Sequence, residues 1–346
     1  MTVNGQRVTT EYLTYVNNET KAGVVGKVRS AVRALPAGRY LLAVSGGRDS
    51  MVLLDAFAAE RTDIAAVVTF DHGTGPHAVK AVTHVEKEAE RRGLQVIVGK
   101  RRGWSPSLDR MIEKFGAASE GMLRTARWEF LRVTAANTSA PVVTAHTLDD
   151  QIETVFMRVL RHARARGLAA MNAKSDVVRP LLCIRRDEIG AYAAAGGVKW
   201  IEDPTNLSMR FHRNRVRAEL LPAMEALQPG FGAMLLAIAD KCGSWRGELA
   251  DIVDSLDVKV TDAPDRTAIV RAEALAGLTP EGLAIIWPEL AGRAGAVLDW
   301  RGVERLVKEG PKVKPGAEIP LSGGVSVSRT ATTFVVRNRG VGAPLY

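Results

Sequence analysis

The sequence contains very little cysteine. Cys183 and Cys242 are the only thiols among its 346 residues, and they lie far apart in the chain. Two isolated thiols exclude a disulfide framework, a cysteine-rich zinc site and a Cys-x-x-Cys redox centre. Long apolar runs are also missing, since no segment approaches the roughly 18 residues of a membrane-spanning helix. The opening residues 1–18 are polar and lack the apolar centre of a signal peptide, so a cytoplasmic protein is expected.

Negative charge is in short supply. Lysine and arginine together number 47 against 38 aspartate and glutamate residues, which gives a net charge of +9. Such a surplus attracts polyphosphate partners, nucleic acid above all, although solvated basic faces explain the composition equally well. The basic residues form three clusters along the chain. These are Arg158, Arg161, Arg164 and Arg166; Arg210, Arg213, Arg215 and Arg217; and Lys100, Arg101 and Arg102.

The most informative stretch is an apolar run, 41–44, that ends in the turn Ser45-Gly46-Gly47-Arg48-Asp49-Ser50. Helical spacing resumes at residue 51, so the stretch predicts a buried strand, a tight loop and a helix start. Adjacent glycines let N–H groups converge on a phosphate at the helix N-terminus. The lysine of a Walker A loop is missing, but Asp49 is placed to hold Mg²⁺ beside the phosphates. An ordinary turn capped by Ser45 and Asp49 is the alternative.

Strands and helices alternate along the first two thirds of the chain. This order predicts an α/β fold with a doubly wound, mainly parallel sheet and helices on both faces. Strands are expected at 40–44, 64–70, 94–98, 142–145 and 177–182. Helices are expected at 19–35, from the glycine-rich turn to about 61, at 79–92 and 120–136, from the fourth strand's end to about 158, and at 185–195. In such folds ligands gather beyond the carboxyl ends of the strands.

The pattern of predicted helices and strands changes further along the chain. Helices are expected at 211–226 and 231–256, followed by short strands and helices rich in glycine and proline. We therefore predict a larger α/β domain at 1–225 that carries the phosphate loop, a helical linker at 226–258 and a small α+β domain at 259–346.

An acidic helix start follows the fourth predicted strand. His146 comes directly after that strand, and Asp150 and Glu153 share one face of the new helix because they are three residues apart. Paired carboxylates there can bind an ammonium group or Mg²⁺, or accept a proton from an attacking amine. Helix capping explains Asp149 well, but it explains the other three residues poorly as a set.

Two shorter pairs add to the candidate site. Asp71 and His72 follow the second predicted strand, and Arg124 and Arg127 lie one turn apart on one helix face, where they can clamp phosphates. Taken alone, each pair is explained equally well as turn or surface residues.

The glycine-rich turn resembles the pyrophosphatase loop of adenylating ATPases such as the ATP-binding domains of GMP synthetase and asparagine synthetase. Together with six further motifs, it makes the chain similar to the tRNA(Ile)-lysidine synthetases. Those motifs occur in the family's order: Asp71-His72-Gly73, Leu123-Arg124-x-x-Arg127-Trp128, Ala145-His146-x-x-Asp149-Asp150-Gln151-x-Glu153-Thr154, Arg179-Pro180-Leu181-Leu182, Glu202-Asp203-Pro204-x-Asn206 and Arg213-Asn214-x-x-Arg217.

The resemblance implies an enzyme that uses ATP to adenylate the C2 oxygen of the wobble cytidine in the CAU anticodon of an isoleucine tRNA. The ε-amine of free L-lysine then displaces AMP. The implied partners are tRNA(Ile) and lysine, and the implied cofactors are ATP and Mg²⁺. The oligomeric state stays open, a homodimer being one option.

The resemblance also assigns residues to these steps. Arg124 and Arg127 would stabilise charge on the α-phosphate, Asp49 would hold Mg²⁺, and Asp150 and Glu153 would bind lysine. ATP would contact Ser45, Gly46, Gly47, Arg48, Asp49, Ser50, Asp71, His72 and His146. The tRNA would contact Arg161, Arg164, Arg166, Arg213 and Arg217. The domain at 1–225 would bind ATP and carry out catalysis, and the small domain at 259–346 would contact the tRNA.

The chain departs from the family pattern at two places. The family commonly reads His-Gly-Leu-Arg after the second strand, whereas this chain has Thr74 and Gly75 after His72-Gly73, and His162 and Arg164 stand where glycines are usual. A divergent paralogue with another acceptor or amine, a relative that thiolates tRNA cytidine, and a non-catalytic nucleotide- or tRNA-binding module are the alternatives. Two cysteines supply no sulfur-transfer cluster, and intact Asp49, Asp150 and Glu153 argue against lost chemistry.

Overall fold

The structure is a computed structural model, which describes residues 2–3, 6–7, 21–101, 120–163, 165–172, 176–202, 208–261 and 265–339. The chain divides into two compact units, Met1–Asp240 and Lys241–Tyr346. The helix Phe231–Ser255, most of the predicted linker, runs across this division. The domain boundaries at 1–225, 226–258 and 259–346 stay predictions.

The first unit is built on a five-stranded sheet in which every pairing is parallel. A separate antiparallel pair, β1 (Thr2–Val3) and β2 (Gln6–Arg7), comes first in the chain. The sheet strands are β3 (Tyr40–Ala43), β4 (Ile64–Asp71), β5 (Val96–Lys100), β6 (Val142–Val143) and β7 (Val177–Val178). Their order across the sheet, β5-β4-β3-β6-β7, confirms the predicted fold class.

Helices cover both faces of this sheet. They are α1 (Lys21–Arg33), α2 (Arg48–Glu60), α3 (Pro76–Glu90), α4 (Glu120–Thr138), α5 (Leu148–Val159), α6 (Ala165–Leu168) and α7 (Arg186–Gly196). Successive strand residues point to opposite faces. Leu42 is buried with residues of α1, α2 and α7, whereas Leu41 is buried with residues of α4. Burial on both faces explains why the strands are continuous apolar runs.

The strand order reverses between β3 and β6. The chain first adds β4 and β5 on one side of β3 and later places β6 and β7 on the other side. In open α/β sheets the ligand crevice lies at such a reversal, beyond the carboxyl ends of the strands. The loop 44–47 follows β3 and the segment 144–147 follows β6, so the phosphate loop and the acidic helix start meet at this crevice.

Three predicted elements are shorter or differently wound than expected. The strand predicted at 177–182 ends at Val178, because Pro180 has no N–H for a sheet and starts a 3₁₀ helix, Pro180–Cys183. The helix predicted at 211–226 is α8 (His212–Arg215), a π-helix (Val216–Leu220) and α9 (Leu221–Leu227) in succession. The strand predicted at 142–145 keeps ladder pairing only at its first two residues. Residues 102–119 and 203–207 lie outside the described residues.

The second unit contains an antiparallel sheet, as expected for a small α+β domain. It is entered through α10 (Phe231–Ser255), and Trp287 and Phe334 meet edge to face at 5.4 Å in its core. Its helices are α11 (Ala272–Leu275), α12 (Pro280–Arg293) and α13 (Trp300–Glu309). Its strands are β8 (Lys259–Thr261), β9 (Arg266–Arg271), β10 (Glu318–Pro320), β11 (Val325–Arg329) and β12 (Thr333–Asn338), in the order β10-β11-β12-β9-β8.

Within the described ranges, no single helix has the length and hydropathy needed to cross a bilayer. The stretch His212–Leu227 and α10 reach that composition only when counted together, across a bend of 100°.

Candidate active site

Close contacts within the glycine-rich loop, and between the loop and Ala81, fix its shape. Gly46 has a φ of +85°, and a Cβ built there would lie 3.0 Å from the carbonyl oxygen of Ala81 and 3.2 Å from its Cα. The Ser50 hydroxyl donates to the Gly47 carbonyl at 2.8 Å and accepts from the Ser45 N–H at 3.1 Å. Gly47 is the N-cap of α2, and as a glycine it has no side chain that caps the first N–H groups of that helix. Uncapped N–H groups at a helix N-terminus suit a phosphate.

Asp49 lies in the first turn of α2, beside two guanidinium groups. Arg48 Nε donates to its Oδ1 at 3.2 Å, and Arg186 Nε lies 4.0 Å from its Oδ2. Burial raises the pKa of Asp49, and the charges of Arg48 and Arg186 oppose that rise. A carboxylate desolvated in this way gains from a bound cation. Mg²⁺ takes one or two carboxylates together with phosphate oxygens and water, and Asp49 beside the loop fits that donor set.

Asp71 ends β4, and His72 follows it at the same edge of the sheet. The Gly73 N–H donates to Asp71 Oδ1 at 2.8 Å, and Arg101 Nε donates to the His72 carbonyl at 3.0 Å. Asp71, Gly73, Lys100 and Arg101 line a cavity of about 280 Å³. Arg101, at the end of β5, thus brings a guanidinium to the turn where the family pattern places an arginine two residues after the glycine. Arg101 is not among the site residues that the sequence predicts.

His146 follows β6, and its ring Nδ1 is hydrogen-bonded to Thr144 Oγ1 at 2.8 Å. Burial lowers the pKa of His146 far below its usual range; Asp150 opposes this, whereas Arg179 and Arg127 add to it. The ring is therefore neutral at pH 7 and offers hydrogen bonds rather than charge.

Positive charge collects around this histidine. Burial, together with the charge of Arg124, lowers the pKa of Arg127 to about 10. Burial lowers the pKa of Arg179 to about 10 as well, with Arg124 and Arg158 adding to the effect. Among the described residues, the buried Nε atoms of Arg127 and Arg179 have no hydrogen-bond partner. Desolvated guanidiniums with spare donors form a site for an anion. Arg179 was missed as a site residue, although its motif was among those that carried the resemblance.

Glu153 is held by three arginines. It is 1% exposed, and Arg186 Nη1 and Arg217 Nε donate to its Oε1 at 2.9 and 2.6 Å. Arg213 Nε and Arg217 Nη2 donate to its Oε2 at 2.7 and 3.0 Å. Burial favours a raised pKa of Glu153, but the hydrogen bond from Arg217 and the charges of Arg213 and Arg186 outweigh it, and the pKa is lowered. Glu153 is therefore an anion at neutral pH.

Asp150 shares two of those arginines. Arg186 Nη2 and Arg213 Nη2 both donate to its Oδ1 at 2.9 Å. The N–H and hydroxyl of Thr147 donate to its Oδ2 at 2.9 and 3.0 Å, which closes a capping box at the start of α5. Capping thus explains half of the contacts of Asp150, and the arginines explain the other half. We call Asp150, Glu153, Arg186, Arg213 and Arg217 the arginine–carboxylate cluster.

The cluster joins residues that we had predicted to bind different partners. Arg213 and Arg217 were predicted to contact tRNA, and Asp150 and Glu153 to bind lysine, yet the four side chains contact one another. Arg186 was not predicted as a site residue at all. No local pattern distinguishes Arg186, because the pair Arg185-Arg186 at a helix start is equally compatible with an exposed position. Its place in the site follows only from its contacts with α5.

The other arginines predicted to contact tRNA lie near the end of α5. Arg161 is exposed, Arg166 is half-buried, and Arg164 lies outside the described residues. His162 has a φ of +56°, a conformation that favours glycine. This backbone geometry explains why glycines are usual at this place in the family pattern.

Comparison with known proteins bears on this arrangement. A family model described as a PP-loop domain matches residues 20–224. That range contains the whole parallel sheet, the glycine-rich loop and the arginine–carboxylate cluster. Fold, loop and match together define a protein of the PP-loop class.

Two relatives narrow the assignment from the PP-loop class to one family. The tRNA(Ile)-lysidine synthase of Salinispora arenicola is 34% identical over 338 residues, which are 91% of this chain and 96% of that protein. The tRNA(Ile)-lysidine synthase of Methylococcus capsulatus is 34% identical over 244 residues, 68% of this chain and 53% of that protein. The chain therefore covers about half the length of some curated relatives and nearly all of others. It belongs to the tRNA(Ile)-lysidine synthase family.

A solved structure shares the architecture at low sequence identity. A U34-tRNA thiolase from Methanococcus maripaludis with its [4Fe-4S] cluster aligns with a TM-score of 0.56, covering 66% of this chain and 81% of that one. At 16% identity the likeness shows the fold alone.

Proposed function

We propose that the protein is a cytoplasmic ligase that joins L-lysine to C2 of the wobble cytidine in the CAU anticodon of tRNA(Ile), converting ATP to AMP and diphosphate. One observation carries the proposal beyond family membership. Arg186 lies 4.0 Å from Asp49 of the phosphate loop and donates at 2.9 Å to both Asp150 and Glu153. The candidate ATP site and the candidate amine site are thus one guanidinium apart, as a two-step reaction on adjacent atoms of one substrate base requires.

In the first step the cytidine C2 oxygen attacks the α-phosphate of ATP, and diphosphate leaves. The uncapped N–H groups at the start of α2 hold the departing phosphates. Arg124 and Arg127 stabilise the negative charge that grows on the α-phosphate, and the spare Nε donor of Arg127 suits that task. Asp49 would hold Mg²⁺, which would supply further positive charge beside the phosphates.

In the second step the ε-amine of lysine attacks C2, and AMP leaves. Asp150 and Glu153 bind the ammonium form and take up its proton before the attack, because only the neutral amine is a nucleophile. Both carboxylates have lowered pKa values, which keeps them charged and able to attract the ammonium group. The arginines that lower these pKa values also weaken the carboxylates as bases, so proton uptake requires that an arginine contact be released. His146 stays neutral, so it adds no positive charge where the ammonium must enter.

The test is AMP release from ATP by the purified protein with free lysine, comparing tRNA(Ile) bearing the CAU anticodon with elongator tRNA(Met). Nucleoside mass analysis then identifies the product. We expect AMP and lysidine with the first tRNA only. Asp49→Asn should abolish AMP release, whereas Asp187→Asn, an exposed aspartate on α7, should leave it unchanged. A different modified cytidine, or no AMP with either tRNA, would overturn the proposal.

A further inference from the structure

The carboxylates of the arginine–carboxylate cluster have no acceptor position left. A carboxylate offers about four lone-pair positions. Glu153 accepts four hydrogen bonds, two on each oxygen, from three guanidiniums. Asp150 also accepts four, two from arginines on Oδ1 and two from Thr147 on Oδ2. An ammonium group cannot bind either carboxylate in this arrangement unless a donor leaves.

Charge leads to the same conclusion. Three guanidiniums surround two carboxylates, so the cluster carries a net charge of +1 before any substrate arrives. A lysine ammonium entering this cluster would meet repulsion as well as saturated acceptors. The lysine-free cluster is therefore closed to the very group that the proposed function requires it to bind.

We propose that Arg217 is an exchangeable ligand of Glu153: a tRNA phosphate draws Arg217 away, and the lysine ammonium takes its place. This inference rests on the proposed function and adds a coupling between its two substrates. The exchange keeps every charge paired, since Arg217 moves from a carboxylate to a phosphate and Glu153 moves from a guanidinium to an ammonium. It also reconciles the two predicted roles, which are tRNA contact for Arg217 and lysine binding for Glu153.

Three features single out Arg217 among the arginines. It donates to both oxygens of Glu153, so its departure frees one acceptor position on each. Its side chain is 36% exposed, compared with 27% for Arg213 and 21% for Arg186. It lies on the π-helix Val216–Leu220, a wide turn often found where a helix serves a function.

Arg186, by contrast, is fixed from a second side. Its backbone N–H donates to Asp149 Oδ2 at 2.7 Å, and its guanidinium approaches Asp49. Arg186 is therefore expected to stay on Asp150 and Glu153 when Arg217 leaves. A guanidinium and a phosphate pair through two parallel hydrogen bonds, so a phosphodiester of the bound tRNA is a suitable new partner for Arg217.

The experiment measures the dissociation constant of labelled lysine by equilibrium dialysis, with and without tRNA(Ile). An ATP analogue with a methylene group between the α- and β-phosphates is present throughout to prevent turnover. The proteins are the wild type, Arg217→Gln and Arg217→Lys. The matched control is Arg215→Gln, which removes an exposed arginine of the same segment that is paired with Glu219. Thermal melts establish that each variant is folded, and Arg217→Lys carries the test if Arg217→Gln does not fold.

For the wild type we expect tRNA to tighten lysine binding by about tenfold or more, within the usual range of coupling between sites. Arg217→Gln should bind lysine without tRNA about as tightly as the wild type binds it with tRNA, so that tRNA adds little. Arg217→Lys should lie between the two, and Arg215→Gln should match the wild type. A purely structural role for Arg217 would not remove the dependence of lysine binding on tRNA.

Two results would overturn the inference. Weaker lysine binding by Arg217→Gln would make Arg217 a lysine ligand, and an unchanged tRNA dependence would leave it without a part in the coupling. If the wild type forms lysidine in the AMP assay, either result removes this inference and leaves the proposed function intact. If the wild type binds no lysine with tRNA present and forms no lysidine, both fall.

Discussion

Replacing Glu153 by glutamine is the sharpest test of what the arginine–carboxylate cluster contributes to stability. Glutamine keeps the volume of the side chain, but it removes the charge and turns one acceptor oxygen into an NH₂ donor that faces guanidinium donors. Arg186, Arg213 and Arg217 would then share Asp150 as their remaining carboxylate in the cluster. The variant therefore leaves three partly buried guanidiniums with one cluster carboxylate between them.

The expected cost follows from burial and from the number of contacts. Removing one partner of a buried ion pair typically costs about 3–5 kcal/mol. Arg213 and Arg217 are partly exposed and can turn toward water, so we expect the lower end, about 3 kcal/mol. Arg217→Gln should cost only about 1 kcal/mol, because Glu153 keeps two guanidiniums and the arginine it loses is partly solvated.

The assay is urea denaturation followed by circular dichroism, with hydrogen exchange of the α5 peptide 148–159 to assign the loss to the first unit. Acidification adds an independent check. The folded pKa of Glu153 lies below its unfolded value of 4.5. Its contribution is therefore fully present above pH 4.5 and is lost as the pH falls through the folded pKa. The difference between the wild type and Glu153→Gln should narrow on acidification.

The control is Glu219→Gln, which removes an exposed carboxylate 3.5 Å from Arg215 and should change stability by less than about 0.5 kcal/mol. A loss below about 1 kcal/mol for Glu153→Gln at pH 7 would refute the reasoning, because the buried charges would then be compensated in another way. A difference that widens on acidification would refute it equally.

Two further substitutions test the backbone of the site. Gly46→Ala should cost about 1–2 kcal/mol for its left-handed φ and should also weaken binding of an ATP analogue in calorimetry, because the new Cβ meets the Ala81 backbone. Gly316→Ala has a similar φ and open space, so it should lose stability but keep ATP affinity; equal ATP affinity in both variants would contradict the role of Gly46. His162→Gly should raise the free energy of unfolding in thermal melts by about 0.5 kcal/mol. This is the strain of the left-handed φ that glycine relieves, minus the entropy cost of ordering a glycine. Arg161→Gly should lower the free energy of unfolding. A change of the same sign in both variants would contradict the strain at His162.

Much of the fold and half of the site were predictable because their signals are local. An apolar run followed by Ser45-Gly46-Gly47 specifies a strand, a loop and a helix start within ten residues, and the structure places them there. Pro180 is also a local signal for the end of a strand, yet the predicted strand 177–182 runs through it. The π-helix at Val216–Leu220 had no local signal, since its residues are ordinary helix formers.

The sequence by itself determined the alternating strands and helices, the glycine-rich loop at the end of the first sheet strand, and the pair Asp150 and Glu153 on one helix face. These features depend on spacings of a few residues. Only the tertiary structure decided what the carboxylates contact. Arg186 and Arg217 lie 33 and 64 residues beyond Glu153 in the chain, and they reach it because α7 and the π-helix segment pack beside α5. A buried carboxylate must find partners somewhere, but which arginines supply them depends on packing that no local pattern encodes.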